Sequence, residues 1–155
     1  MIVEIATTIA RPPAAVFAFV SDMRNESQWH TDVLQAWLVD GEAVAAGATF
    51  GVKIKPSMGL SEGTATVSEY APPNRVVFDV RMNGMTSTIT HTVSAEGAGS
   101  RVARRIELKL PFPMRLAAPL VRPMIRKSNT QFLKNLKAVL ESRPLMSEGS
   151  TPAST

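Results

Sequence analysis

The chain has 155 residues and a mass of 16.7 kDa, with 45% hydrophobic and 19% charged residues and a formal net charge of +4. That length fits one domain large enough to bury its own core, roughly 70% of the surface its unfolded chain exposes. It has no cysteine and two histidines, His30 and His91, far apart in the sequence. Thiol catalysis, thiolate metal sites and an HExxH-type centre are therefore excluded, and neither a metal nor another cofactor is expected. No apolar run approaches the ~18 residues of a membrane span. Glu4 stands where an export signal would carry bases, so no signal and a cytoplasmic location are expected.

Residues 2–10 alternate apolar and polar side chains and are rich in β-branched residues, which predicts a half-buried first strand. Pro12 and Pro13 end it. Residues 13–21 read as a short helix with Val16, Phe17 and Val20 on one side, and Arg24 to Trp29 as a second short helix. Strand signals follow at 33–40, 48–55, 62–70, 75–82, 86–95 and 101–110, separated by turn-forming residues. Asn83-Gly84 is the strongest turn, since both residues tolerate the positive φ of a type I′ hairpin. Such short connections imply an antiparallel meander. In this register Val76, Phe78, Val80 and Met82 share one face. So do Met85, Ser87, Ile89, His91 and Val93, and likewise Val102, Arg104, Ile106 and Leu108. Residues 124–141 carry Met124, Ile125, Phe132, Leu136, Val139 and Leu140 at helical spacing, after a turn or kinked entry over 112–123 that contains Pro119 and Pro123. Residues 144–155 read as a small, polar, disordered tail after a domain spanning 1–143.

Charge is uneven along the chain. Residues 1–100 hold 6 Lys+Arg and 10 Asp+Glu, whereas residues 101–143 hold 11 Lys+Arg and 2 Asp+Glu. A solvated helix face and a guarded strand edge explain such a basic third; weak contact with an anionic surface is the alternative. One tyrosine and no interleaving of bases with aromatics argue against nucleic acid.

Few residues suggest chemistry. Gly59-Leu60-Ser61-Glu62-Gly63 has the letters of a nucleophile elbow but precedes a strand rather than a helix, so Ser61 is not expected to be a nucleophile. His91, on a face with Met85, Ile89 and Val93, is either a satisfied half-buried histidine or a ligand-facing hydrogen-bonding group or base. Arg104, among Val102, Ile106 and Leu108, must be paired if buried. Glu69 or Asp79 neutralises it, or its register takes it to solvent, or it faces a ligand carboxylate, phenolate, enolate or carbonyl. His30 reads as a surface cap. Trp29, Trp37, Phe50, Val52, Phe78, Val80, Met82, Met85, Ile89, Leu120 and Met124 are each plain core or, taken as a set, candidates for the wall of an apolar ligand site, and eight methionines would adapt such a wall to an irregular guest. Ser87 and Ser128 are weaker polar candidates.

Several segments, taken in order, resemble the START-like helix-grip superfamily (SRPBCC) in its polyketide cyclase/dehydrase and lipid-transport branch. They are Ile9-Ala10-Arg11-Pro12-Pro13 with Val16 to Asp22, then Trp29, then Val67 to Phe78, then Gly99-Ser100-Arg101-Val102, and finally Leu133 to Glu141. The resemblance spans about residues 2–141. It implies an α+β helix-grip fold: a curved antiparallel sheet of about seven strands around a long C-terminal helix, with two short helices between strands 1 and 2. It further implies an apolar cavity between sheet and helix, in which a lipid, a sterol-like molecule or a polyketide would bind. The alternative is an aromatase/cyclase-type enzyme in which His91 and Arg104 assist enolisation, aldol closure and water loss in that cavity. The residues leave ligand identity, catalysis and oligomeric state open.

Overall fold

The computed structural model describes residues 1–57 and 59–143; the expected tail over 144–155 lies outside them. The strands are β1 (Ile2–Ile9), β2 (Val33–Asp40), β3 (Thr49–Ser57), β4 (Leu60–Ala71), β5 (Arg75–Met82), β6 (Met85–Glu96) and β7 (Gly99–Lys109). Helix α1 (Pro13–Val20) and a 3-10 turn (Met23–Gln28) join β1 to β2; a second 3-10 turn (Met114–Ala117) leads into α2 (Ala118–Glu141). The seven strands form one open antiparallel sheet in the order β1-β7-β6-β5-β4-β3-β2. This is the helix-grip architecture expected from the sequence. β2 through β7 are a meander of hairpins, and the Asn83-Gly84 turn takes positive φ at both residues (46° and 81°). Register irregularities in β2 and β4, the latter between Val67 and Glu69, mark bulges that bend strands.

One face of the sheet buries Ile9, Phe50, Val52, Val67, Phe78, Val93 and Val102 against α1 and the stripe Phe132, Leu133, Leu136 and Leu140 of α2. Each such side chain contributes about 1.5–3 kcal/mol over an exposed one. Helix α2 begins earlier than the sequence suggests, at Ala118 rather than near 124. Pro119 falls in its first turn, where no amide donor is needed. Pro123 removes one hydrogen bond, from the carbonyl of Pro119, and both prolines are exposed, so water can satisfy that group. Only Met114–Ala117 keeps the separate-turn character expected over 112–123.

Three bases of the C-terminal third hold α2 along the free edge of β1. Arg122 Nε donates to the Ile2 carbonyl, Arg126 Nη1 to that of Glu4, and Lys137 Nζ to that of Thr8 (3.1, 3.1 and 2.8 Å). Arg11 closes the far end by donating to the carbonyls of Glu141 and Arg143, both at 2.7 Å. Unpaired edge carbonyls thus meet cations instead of another strand. Among the described residues no helix is long and apolar enough to cross a membrane.

Candidate functional site: a buried arginine at the end of an apolar cavity

Antiparallel register sets His91 of β6 directly opposite Arg104 of β7, both on the core face, with His91 fully buried and Arg104 2% exposed. Three elements converge on this guanidinium. Arg104 Nη1 donates to His91 Nε2 at 2.8 Å, and Arg104 Nε donates to Asn129 Oδ1 of α2 at 3.0 Å. Asn129 is itself held by its Nδ2, which donates one turn back to the carbonyl of Ile125 at 2.9 Å. From the 3-10 turn, Glu26 Oε1 lies 3.5 Å from Arg104 Nη1, and the Trp29 ring lies under the guanidinium with its centroid 5.2 Å from Cζ. That turn starts at Asp22, whose Oδ1 accepts from the Arg24 amide, and it is tied to α2 where Asn135 Nδ2 donates to the Trp29 carbonyl.

The electrostatics follow from burial. An arginine has only donors, so His91 Nε2 must accept, and the His91 ring is neutral with its proton on Nδ1. Desolvation, then the positive Arg104, hold the His91 pKa well below its usual 6.5. His30 stacks on Phe132 with centroids 4.0 Å apart, and its pKa falls to about 3 from burial first and Arg104 second. Burial raises the Glu26 carboxyl even though Arg104 pulls the other way. It also lowers Arg104, against the attraction of Glu26. Among the described residues, four buried polar atoms have no hydrogen-bond partner: Glu26 Oε1, Trp29 Nε1, His30 Nδ1 and His91 Nδ1.

A cavity of about 470 Å³ runs from this cluster toward the β3–β4 hairpin. Its apolar wall is Met23, Val33, Val52, Ile54, Val80, Met82 and Ile89; Glu26, His30, Asp32 and Arg104 supply polar groups, and Lys55, Pro56, Ser57 and Leu60 complete the lining. Other depressions, of about 510 and 730 Å³, are lined largely by charged and polar residues of the outer sheet face and the exposed side of α2. The cavity beside Arg104 is the one that joins apolar walls to buried, converging polar groups, the combination typical of small-molecule sites. Among the described residues no three His, Asp or Glu side chains gather as metal ligands would.

Of the residues singled out from sequence, Val52, Val80, Met82, Ile89 and Arg104 line this cavity. Trp29, Phe50, Phe78 and His91 stand just behind it in the core. Met85 is half-buried at the far end of the β5–β6 hairpin, opposite Met82. Trp37 is on the outer face: it pairs with Gly51, between the inward-facing Phe50 and Val52, and its ring covers the place a Gly51 Cβ would occupy. Leu120 and Met124 are 76% and 68% exposed, because the stripe of α2 that meets the sheet begins at Ile125 and Asn129. Ser128 is exposed. Neither carboxylate suggested for Arg104 reaches it: Glu69 pairs with Arg75 at 2.8 Å, and Asp79 accepts from Thr88.

Sequence reasoning missed Glu26, Asn129 and the inward position of His30. A signal existed for Asn129, a polar residue inside the apolar stripe Ile125, Asn129, Phe132, Leu133, Leu136. For Glu26 the hint was its place three residues before Trp29, on the same side of a helical turn.

The model of the polyketide cyclase/dehydrase and lipid transport family matches residues 2–141. No curated protein is a significant match. Among solved structures, protein TTHA0849 from Thermus thermophilus is similar at 22% identity and a TM-score of 0.74, covering 93% of this chain and 100% of its own. Protein Ms6760 from Mycobacterium smegmatis is similar at 15% identity and a TM-score of 0.67, covering 92% of each chain. DynU16, from the dynemicin biosynthetic locus, is similar at 16% identity and a TM-score of 0.65, covering 91% of this chain and 47% of its own. These likenesses establish the fold.

Proposed function

This chain belongs to the polyketide cyclase/dehydrase and lipid transport family, and from that premise we propose that it binds a hydrophobic small molecule, such as a lipid, sterol-like compound or polyketide, in the cavity beside Arg104. Family and fold support hydrophobic-ligand binding or a cyclase role in general. The observation that carries the specific reading is the cavity of about 470 Å³, apolar along β3, β5 and β6 and polar at one end. Covering about 200 Å² of apolar ligand surface at ~25 cal/mol per Å² contributes ~5 kcal/mol before the cost of association. No charged contact is required for that affinity. Val52, Val80, Met82 and Ile89 would hold the guest's apolar body, while Trp29, Phe50 and Phe78 stiffen the wall behind them.

Two experiments test this reading. Native mass spectrometry of protein purified from its own host should reveal a co-purifying small molecule. Filling the cavity with Val80→Trp or Ile89→Trp should abolish binding of a neutral fluorescent probe while the fold persists; probe affinity unchanged in both variants would rule this cavity out. Nucleic acid is not a partner in this reading, and weak contact of the remaining exposed bases with anionic surfaces is tested by titration with salt, which must weaken it steeply.

A cyclase activity is the second reading, favoured by the placement of Arg104, Glu26 and His30 on one cavity. There Arg104 polarises a ketone of a bound poly-β-ketone, and Glu26 or the neutral His30 accepts a proton from the carbon beside another carbonyl. The resulting enolate attacks the polarised carbon, the alkoxide formed takes the proton back from that acid, and the β-hydroxyl leaves as water when the same base removes a second α-proton and delivers it to the departing oxygen. His91 acts on Arg104 as a positioning residue. Arg104→Leu and Glu26→Gln should each lower turnover of a candidate polyketone by 10²-fold or more, roughly the low end for a lost acid–base group. Unchanged turnover in both would exclude these residues from the chemistry.

A further inference from the structure

We infer that the cavity selects guests with an uncharged, hydrogen-bond-donating head, an alcohol or a phenol, over carboxylates. The inference rests on the hydrophobic-guest reading above and narrows it.

Three observations lead to it. The first is charge balance. The ionisable groups lining the cavity are Glu26, His30, Asp32, Lys55 and Arg104. Two acids face two bases, and His30 is neutral. At the buried end Arg104 is already matched by Glu26 at 3.5 Å. An anionic head placed there would bring a second negative charge beside Glu26, in surroundings where an uncompensated charge is costly.

The second observation is how the guanidinium is used. A carboxylate binds arginine best through two parallel N–H donors, along either the Nε–Nη2 edge or the Nη1–Nη2 edge. Arg104 donates from Nε to Asn129, which occupies the Nε–Nη2 edge; of the two N–H groups on Nη1 one serves His91, and Glu26 Oε1 stands 3.5 Å from the same nitrogen. A guest acid seeking a two-pronged grip would have to compete with Glu26 for the remaining edge.

The third is what the site lacks. Glu26 Oε1 and His30 Nδ1 are buried without a hydrogen-bond partner, and both residues line the cavity. Glu26 Oε1 feels the Arg104 charge at 3.5 Å but accepts no hydrogen bond, so a donor on the guest would complete it. His30 Nδ1 donates or accepts according to its tautomer. A hydroxyl serves all of these roles, whereas a carboxylate or an ether only accepts.

The test is displacement of N-phenyl-1-naphthylamine, a neutral fluorescent probe, by dodecanol, dodecyl methyl ether and dodecanoate at pH 8. These guests share a chain and differ in the head group. Dodecanol should displace at roughly tenfold lower concentration than the ether, as one added hydrogen bond would give, and dodecanoate should be weakest. Glu26→Gln leaves Arg104 unmatched and should move the order toward dodecanoate. His30→Phe keeps a ring against Phe132 and should shrink the preference for dodecanol over the ether; it also serves if Glu26→Gln fails to fold. Dodecanoate binding as tightly as dodecanol, or an order unchanged in both variants, overturns the head-group inference and leaves the hydrophobic-guest reading standing. If neither probe nor guest binds, that reading falls and takes the inference with it.

Discussion

His91 Nε2 accepts a hydrogen bond from Arg104 Nη1 at 2.8 Å, between residues that face each other across the β6–β7 ladder. A buried histidine facing a permanent cation stays neutral, and the guanidinium in turn keeps one orientation. Because Asn129 of α2 and Glu26 of the first 3-10 turn meet the same group, Arg104 joins the sheet, the helix and the β1–β2 connection at one point.

Breaking that junction from one side should cost more than removing it. Arg104→Leu leaves Glu26 buried with no cation, and Glu26→Leu leaves Arg104 buried with no anion. Each should destabilise by about 3–5 kcal/mol, and the double variant by clearly less than the sum of the two. Urea denaturation of the four proteins measures the coupling; strict additivity would mean that the 3.5 Å pair contributes nothing.

Acid should destabilise the fold beginning near neutrality. His91 and His30 have folded pKa values below the ordinary 6.5, His30 at about 3, so below pH 6.5 the unfolded chain binds more protons than the native one. Stability is then lost as pH falls, by up to about 1.4 kcal/mol per pH unit for each histidine. Glu26, raised in the fold, acts in the opposite sense: its share is present at low pH and is lost as pH rises above its ordinary 4.5 and through its folded value. His30→Phe should reduce the slope between pH 6 and pH 5 by one proton's worth. Denaturant melts across this range give the slope, and imidazole NMR signals that titrate near 6.5 in the native protein would contradict the prediction.

Asn129→Leu is close in size and better suited to a helix interior, yet it should destabilise. It removes the acceptor for Arg104 Nε in a dry site and leaves that donor unpaired, at a cost of about 1–3 kcal/mol. Asn129→Asp restores an acceptor but adds a second anion beside Glu26. Thermal melts should rank both below the parent protein; an Asn129→Leu protein as stable as the parent would show that Arg104 finds another partner.

On the outer face, Gly51→Ala should destabilise by about 1–3 kcal/mol, because the new methyl would overlap the Trp37 ring across the β2–β3 ladder. The companion change Trp37→Ser should recover most of that loss. If Gly51→Ala melts at the parent temperature, the ring is free to move aside.

Alternation alone was enough to place every end of the seven strands within two residues and to group their apolar positions by face, since a strand's side chains point to opposite faces with period two. Trp37, expected on the cavity wall, lies instead on the outer face. Which face of β2 is inward depends on its pairing with β3, and bulges lie at both ends of β2. Helical spacing found the stripe of α2 but not its start. Leu120 and Met124 fit an apolar pattern, while the reach of the sheet, which periodicity does not encode, leaves them in solvent.

From the residues by themselves came the strand and helix order and the faces that His91 and Arg104 share with their apolar neighbours, because these depend on local periodicity; the expectation of an interior open to a guest came from the family resemblance and not from any pattern in the chain. The partners of Arg104 were beyond that reach. Glu26, His91 and Asn129 lie 78, 13 and 25 positions away along the chain and meet only when turn, sheet and helix pack together. Burial in that shared space, rather than any motif, sets their charge states and gives the cavity its polar end.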